Sequence, residues 1–414
     1  MPYTATECAR ARQDFPALAR RHGEHTLAFL DGPGGTQVPN RVIDAISEGY
    51  RRCNVNVGGM FDTSLEVVEE VAKARHAIAD FLGAPSPAEI SFGPNMTTLN
   101  FALSHALARA LVPGDEIVIT QLDHEANRGP WLKLAERGCV VREVRLGPDG
   151  CLDPDNFARQ VTSRTRIIAI GLASNSLGTV TALALARSLA RMVGAWLVCD
   201  AVHYAAHFPL DVQALDCDFL LCSAYKFYGP HIGVLYSRPG LLDQLQTDCL
   251  RTQKQEAPYR IETGTLNHPT LMGVTAAIDY LATWGNGTTR RTQLLSAMGV
   301  LASYEHDLAR YYASEVSKFP GVRIWGPPLD PGPRAPTVSI TLEGIPATQA
   351  ATHLASLGIQ VWAGHFYAVR VLEAYDLVKD GLLRTGFAMY NTREEVDRLV
   401  QGLRQLVARA SVAA

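Results

Sequence analysis

An α/β fold around a mostly parallel sheet, followed by a smaller α+β domain, is the architecture this sequence predicts, on three observations. Between about residues 89 and 236, short β-rich apolar runs (EIVIT, VVREVRL, RIIAIGL, AWLVCD, DFLLCS, GVLY) alternate with longer stretches of helical pattern. The runs show little polar alternation, as expected of strands covered on both faces. Past a Gly/Asn/Thr-rich stretch, GNGTT at 285–289, the order changes to helix, strand, helix and strands. Composition allows both units a core: of 414 residues 47% are hydrophobic and 19% charged, which excludes disorder as the dominant state. The division expected is an N-terminal segment, 1–29, packing with the small domain, a large domain, 30–285, and a C-terminal small domain, 286–414.

The elements follow in chain order. The opening residues, MPYTATECARARQDFPAL, contain no apolar core of signal-peptide length, and no window approaches the roughly 18 apolar residues of a membrane span. Thr63 and Glu66 have capping-box spacing ahead of Leu65, Val67, Val68 and Val71, which predicts a helix to about Leu82. Gly93-Pro94 should end a strand and Asn95 to Thr97 begin a helix, offering unpaired N–H groups and the positive dipole end to an anion. After the boundary come a long helical segment to about Lys318, the strand TVSITLEG, a helix at roughly 347–357, then IQVWAG and LLRTGFAMY. Thr392 and Glu395 make a second capping box, opening a last helix whose apolar stripe is Val396, Leu399, Val400, Leu403 and Leu406.

Charge is no guide to a partner. With Lys+Arg 38 against Asp+Glu 41 the net charge is −3, so there is no basic footprint for nucleic acid or an anionic membrane, and neither is expected as a partner. The eight cysteines never form CxxC and mostly lie in apolar runs. They read as buried reduced thiols in a cytoplasmic protein, with no metal site.

In parallel sheets ligands sit beyond the carboxyl ends of the strands. Only six lysines occur in the chain, and Lys226 stands immediately after the apolar run DFLLCS, in SAYKFYGPHIGVLY. Asp200 ends the run AWLVCD, with His203 one turn on. A carboxylate at one strand end and an amine after the next can converge on one ligand. Such a pair suits pyridoxal phosphate: the amine holds the aldehyde covalently and the carboxylate keeps the pyridine nitrogen protonated. A lysine snorkelling at a strand end, or a structural ion pair, explains the same two residues equally well.

The chain resembles the class V aminotransferase family of pyridoxal-phosphate enzymes, within it the cysteine desulfurase-like branch. The likeness rests on FLDGPGGTQVPNRVIDA, LDHEANRGPW, ASNSLGTV, VCDAVHYAAH, SAYKFYGPHIGVLY, RIETGTLN and AMYNTREEVDRL, in family order from about residue 27 to 407. It implies the fold-type-I architecture, a large domain with a mixed, mostly parallel seven-stranded sheet plus a smaller α+β domain, with pyridoxal 5'-phosphate bound by the large domain. By resemblance Lys226 is the covalent lysine, Asp200 the partner of the pyridine nitrogen and His124 the ring-stacking histidine. Asn175 and His203 lie near the cofactor's 3-hydroxyl, where a glutamine often replaces the histidine. The phosphate falls to Asn95, Met96, Thr97, Ser223 and Tyr225, with Gly264 and Thr265 reaching it from the neighbouring subunit of a homodimer that shares its active sites. Arg384 clamps the α-carboxylate of an amino-acid substrate, its planar fork suited to bidentate binding, and Gly34, Asn175 and Trp362 complete the substrate side.

One departure bears on the reaction. Where cysteine desulfurases carry a mobile cysteine in a segment resembling RTGHHCA, this chain has WAGHFYA at 362–368, with Tyr367 at the cysteine position and Trp362 at that of the motif's arginine. No cysteine occurs after Cys249. Persulfide chemistry is therefore not expected. Tyr367 and His365 are candidates for an acid that protonates a leaving thiol, or for a second base. The function expected is Cα deprotonation followed by β-elimination, of C–S lyase type, on a cysteine-derived substrate. The alternatives are transamination or epimerisation, then persulfide formation, and last a non-catalytic binding protein.

Overall fold

The computed structural model describes residues 2–413. Seven strands form one sheet: β1 (Ile90–Gly93), β2 (Glu116–Thr120), β3 (Val140–Val144), β4 (Thr165–Gly171), β5 (Trp196–Asp200), β6 (Phe219–Ser223) and β7 (Gly233–Ser237). Their order is β1-β7-β6-β5-β4-β2-β3. Strands β2 to β6 are mutually parallel and β7 is antiparallel to both neighbours. The weak alternation of the apolar runs has the anticipated cause: both faces are covered. Val118, Ile168 and Ile170 belong to one apolar cluster with Ala186, Leu189 and Ala190 of helix Leu183–Val193, while Ile117, Ile119, Ile167 and Ala169 belong to another with Trp131 of helix Glu125–Leu132 and with helix Met96–Ala108. The chain moves outward from β2 to β3 and then returns past β2 to β4, so loops at the carboxyl ends of the central strands diverge and leave a crevice between them.

Two capping expectations fared differently. Thr392 and Glu395 exchange the two bonds of a capping box, Thr392 N–H to Glu395 Oε2 at 3.2 Å and Glu395 N–H to Thr392 Oγ1 at 3.3 Å. The helix at 62–82, by contrast, starts at Asp62 with Phe61 as its uncapped N-terminal neighbour. Thr63 therefore lies inside the first turn, and Glu66 pairs with Arg52 at 3.7 Å instead. The preceding loop is secured by Ser64, whose hydroxyl donates to Asn56 O and accepts from Gly59 N–H.

A second sheet, order β8-β9-β11-β10, is fully antiparallel: β8 (Val322–Trp325), β9 (Thr337–Leu342), β10 (Trp362–Gly364) and β11 (Leu382–Gly386). IQVWAG does not make one strand. Ile359–Gln360 pairs with Ala28–Phe29, and only Trp362–Gly364 joins β11. The second sheet packs on helices Arg290–Val316, Ala347–Ser356 and Arg393–Ala413 through Leu308, Tyr312, Val338, Ile340, Leu354, Leu399 and Leu403. The first residues tie down across both parts: Tyr3 donates to Met389 O at 2.9 Å, and Phe15 sits edge-on to Tyr228, Tyr280 and Tyr390. Among the described residues no helix is long and apolar enough to cross a membrane.

Candidate active site

Loops after β2, β4, β5 and β6, with the N-terminus of helix Met96–Ala108, enclose a cavity of about 660 Å³ including its open mouth. Lys226 enters it from the 3-10 turn Ala224–Lys226 that follows β6. Its ammonium is buried and donates to Pro33 O. Burial first, then the Arg384 charge, pull its pKa down to about 7. Asp200 ends β5 facing the same cavity and accepts from Val202 N–H at 2.8 Å. Burial and the neighbouring Asp123 push its pKa up to about 7, against the pull of Val202 N–H and Lys226. An amine poised to lose its proton thus faces a carboxyl group that lacks a cationic hydrogen-bond partner.

His124 caps helix Glu125–Leu132: its Nδ1 accepts from Ala126 N–H at 3.0 Å, which leaves the ring proton on Nε2. Burial, with Lys226 and Arg384 nearby, lowers its pKa to about 4, so the ring is neutral. At the opposite end Asn95 caps helix Met96–Ala108, accepting from Thr98 N–H at 2.8 Å, and Met96 N–H donates to Ser223 Oγ at 3.1 Å. Gly233 permits this approach of strand and helix, because a Cβ there would lie 2.3 Å from Asn95 C. Thr97 and Tyr225 line the same end, and Tyr225 is stacked flat on His231 at 4.8 Å.

Arg384, on β11, closes the cavity from the second sheet. Its Nη1 donates to Asn175 O at 3.1 Å, its Nε has no protein partner, and its guanidinium stacks on Phe366 at 4.2 Å. Burial lowers its pKa to about 9, which still leaves it charged. Gly34 lies against it, since a Cβ there would stand 3.5 Å from Nη2 and 3.1 Å from Trp362 Nε1. Phe366 and Tyr367 take left-handed backbone, φ 52° and 59°, a strained choice for two bulky residues. The strained loop is tied on both sides: Asn175 Nδ2 donates to Phe366 O at 2.9 Å and Glu125 N–H to Tyr367 O at 2.8 Å. The Tyr367 ring is exposed, with its centroid 5.4 Å from that of His124.

The cavity wall thus unites Asn95, Met96, Thr97, His124, Asn175, Asp200, His203, Ser223, Tyr225 and Lys226. Arg384, Gly34, Trp362 and Tyr367 adjoin it. His365 is exposed and holds its own loop, its Nδ1 accepting from Tyr367 N–H at 3.0 Å. Gly264 and Thr265 are exposed and do not line the cavity of their own subunit. Sequence reasoning passed over Asp123 and Asp31. Asp123 accepts from Gly171 N–H at 2.6 Å and Thr120 N–H at 3.0 Å, pinning the ends of β2 and β4, and burial pushes its pKa up to about 6. Asp31 is bound by Trp362 Nε1 at 3.3 Å, and its other oxygen has no partner. Both stand inside quoted motifs, LDHEAN and LDGPGG, but only contacts across the fold show that they face the site.

The family model "Aminotransferase class-V" matches residues 28–399. A cysteine desulfurase from Enterobacter sp. (strain 638) is 35% identical over 413 residues, spanning 96% of this chain and 97% of the relative. One from Escherichia coli O127:H6 is 34% identical over 418 residues, with the same shares. Among solved structures, the Escherichia coli cysteine desulfurase CsdA superposes with TM-score 0.84 at 29% identity, covering 96% of this chain and 98% of the other. The Thermococcus onnurineus NA1 cysteine desulfurase gives TM-score 0.85 at 26%, covering 97% and 98%. The chain belongs to the class V aminotransferase family, with the mixed seven-stranded fold of the type I pyridoxal-phosphate enzymes, and is a pyridoxal-phosphate-dependent enzyme. The donor set fits that cofactor: helix-terminal N–H groups and hydroxyls for a phosphate at one end, a buried carboxyl for a ring nitrogen at the other, an amine between. His203 Nδ1 and Asn175 Oδ1, buried without protein partners, stand where further polar atoms can be received.

Proposed function

We propose that the enzyme cleaves the Cβ–S bond of a cysteine-derived amino acid by β-elimination. The observation that carries this reading is Tyr367: a phenol, not a thiol, stands in the strained loop at the cavity mouth facing His124, and the chain has no cysteine beyond Cys249. Bound pyridoxal phosphate supplies the electron sink that renders the Cα proton acidic. Arg384 takes the substrate α-carboxylate through its unpartnered Nε and Nη2, while Gly34 leaves room and Trp362 borders the side chain. Lys226 Nζ, its pKa lowered to about 7 by burial, accepts the Cα proton. Asp200 would hold a proton on the pyridine nitrogen, and neutral His124 would pack against the ring. Asn175 and His203 address the 3-oxygen. Asn95, Met96, Thr97, Ser223 and Tyr225 hold the phosphate, joined by Gly264 and Thr265 of the partner subunit. As the Cβ–S bond breaks with its electron pair passing to sulfur, Tyr367 donates a proton there, with His365 bracing the loop.

The homodimer is part of this proposal. Ile43, Tyr50, Val57, Met60, Phe61, Leu65 and Val68 are exposed together on the helix pair 40–52 and 62–82 and their connection, an apolar surface that supports burial against a second copy. So is a three-part division of the chain at 1–29, 30–285 and 286–414, and a reducing, cytoplasmic setting, which the eight unpaired cysteines support.

A second reading is persulfide formation, the chemistry for which the cysteine desulfurase relatives are named. One experiment separates them. Holoenzyme is incubated in deuterated water with L-cysteine or an S-substituted cysteine, and products and protein are weighed by mass spectrometry. Pyruvate, ammonia and the thiol from the S-substituted substrate support elimination. Alanine released at the rate at which an enzyme cysteine turns over as persulfide would overturn it. A keto acid keeping its β-substituent indicates transamination, and deuterium at Cα without consumption indicates epimerisation; either also displaces the proposal.

A further inference from the structure

Behind His203 in the cavity wall lies a buried polar chain to which the mechanism gives no task. His203 lines the cavity at 4% exposure; its Nε2 is 2.9 Å from Thr337 Oγ1, and its Nδ1 has no protein partner. His207, one turn further on, lies edge-on to it, with ring centroids 4.9 Å apart and planes at 78°. His207 Nδ1 is 2.7 Å from Glu305 Oε2, and Tyr228 donates to Glu305 Oε1 at 3.3 Å while its hydroxyl receives Met389 N–H. Glu305 is only 1% exposed, on helix Arg290–Val316; burial pushes its pKa up, and the His207 and Tyr228 contacts oppose that in favour of the charged form. Replacing a buried charged cluster as a whole by apolar side chains is commonly neutral or stabilising, so the presence of this one asks for a use.

The proton positions follow from the contacts. His207 Nε2 has no partner, so a proton there would be a buried unsatisfied donor; the single ring proton belongs on Nδ1, donated to Glu305. Burial, with the cations Lys226 and Arg384 nearby, keeps His203 neutral, far below the usual histidine range. The Thr337 hydroxyl can donate to Nε2, which leaves the His203 proton on Nδ1, the nitrogen without a protein partner.

We propose that Glu305 and His207 are positioning residues that place a negative charge and a fixed imidazole behind His203, and so set the proton affinity of the cofactor oxygen that His203 addresses. The inference rests on the reading of His203 given under Proposed function. The groups facing the chain are Lys226 and Arg384 toward His203, and Tyr228, with Tyr3 and Tyr390 farther off, toward Glu305. Removing the Glu305 charge makes the surroundings more positive and favours the deprotonated oxygen.

The test is a pH titration of the visible absorbance of unreacted holoenzyme. Glu305→Gln keeps the shape and an acceptor for His207 but loses the charge; its midpoint should fall by about half a pH unit or more, the size expected of one charge across a partly polarisable interior. His207→Leu strips Glu305 of its donor and should shift the midpoint in the same direction. If both variants bind cofactor and titrate with the wild-type midpoint, the proposal is wrong. If one variant fails to fold, the other decides. A wild-type holoenzyme with no visible band would instead overturn the cofactor reading itself, so the two failures are distinguishable.

Discussion

Lys226 and Asp200 are each held by burial away from the charge they would carry in water, and both shifts serve the proposed chemistry. A lysine with its pKa near 7 accepts a proton at neutral pH, so turnover with a saturating substrate should rise through about pH 7 as the amine loses its proton, read as the acidic limb of a kcat profile. Lys226→Ala should abolish borohydride fixation of the cofactor; fixation that persists in this variant would contradict the assignment. Asp200 gives a signed stability prediction for cofactor-free protein. Its folded pKa, raised to about 7, lies above the ordinary carboxylate value of about 3.9, so its cost is absent below about pH 4 and complete above about pH 7. Asp200→Asn should therefore raise the apo melting temperature at pH 8, with the gain shrinking toward pH 4. In holoenzyme the same variant should lose turnover by far more than it changes folding, because the ring nitrogen loses its carboxylate. The sequence made these two residues visible through their positions after strands, whereas their shifted protonation depends on neighbours such as Asp123, 77 residues before Asp200.

The elements around the cavity show why motif reading reached some parts of the site and not others. The helix N-terminus at Asn95 was legible because its signals are local: a glycine-proline strand end, a capping residue and an apolar helix. Asn95→Ala should cost about 1 kcal/mol of stability and loosen cofactor retention, measured by thermal melts and by dialysis of holoenzyme. The loop at 364–368 was legible as a substitution, Tyr367 for a thiol, but its strained backbone and the Phe366 stack beneath Arg384 are tertiary. Tyr367→Phe should lower kcat for C–S cleavage by roughly 10²–10⁴ with KM little changed, as expected of a lost general acid; an unchanged kcat would remove Tyr367 from the mechanism. IQVWAG, one apolar run in the sequence, serves two sheets because Ala28–Phe29 captures its first residues. Nothing local to the run reports that partner.

On the scale of the whole molecule the exposed apolar surface of 40–52 and 57–68 and the outward-facing Gly264-Thr265 belong to one argument. If a second copy covers that surface, each cavity gains Gly264 and Thr265 of the partner subunit. A double substitution, Met60→Glu with Phe61→Glu, should yield a monomer in sedimentation velocity that binds pyridoxal phosphate more weakly than the dimer. A monomeric variant with undiminished cofactor affinity would separate the surface from the site. Both side chains are exposed, Met60 at 93% and Phe61 at 55%, so the changes should leave the subunit fold intact.

By itself the sequence determined the layered α/β architecture and the order of its strands along the chain, and it marked Lys226 and Asp200 as candidates, because each is written in short-range pattern: apolar runs buried on both faces, and chemistry-bearing residues just past their ends. Tertiary structure alone decided which loops meet. The return of the chain from β3 past β2 to β4 opens the crevice, and packing of the second sheet brings Arg384 within 3.1 Å of Asn175 O. The same packing assembles His203, His207, Glu305 and Thr337, which span 134 residues, into one buried chain. Contacts of that separation depend on how whole layers stack, and burial, which only the stacked layers create, sets the protonation of the groups enclosed between them.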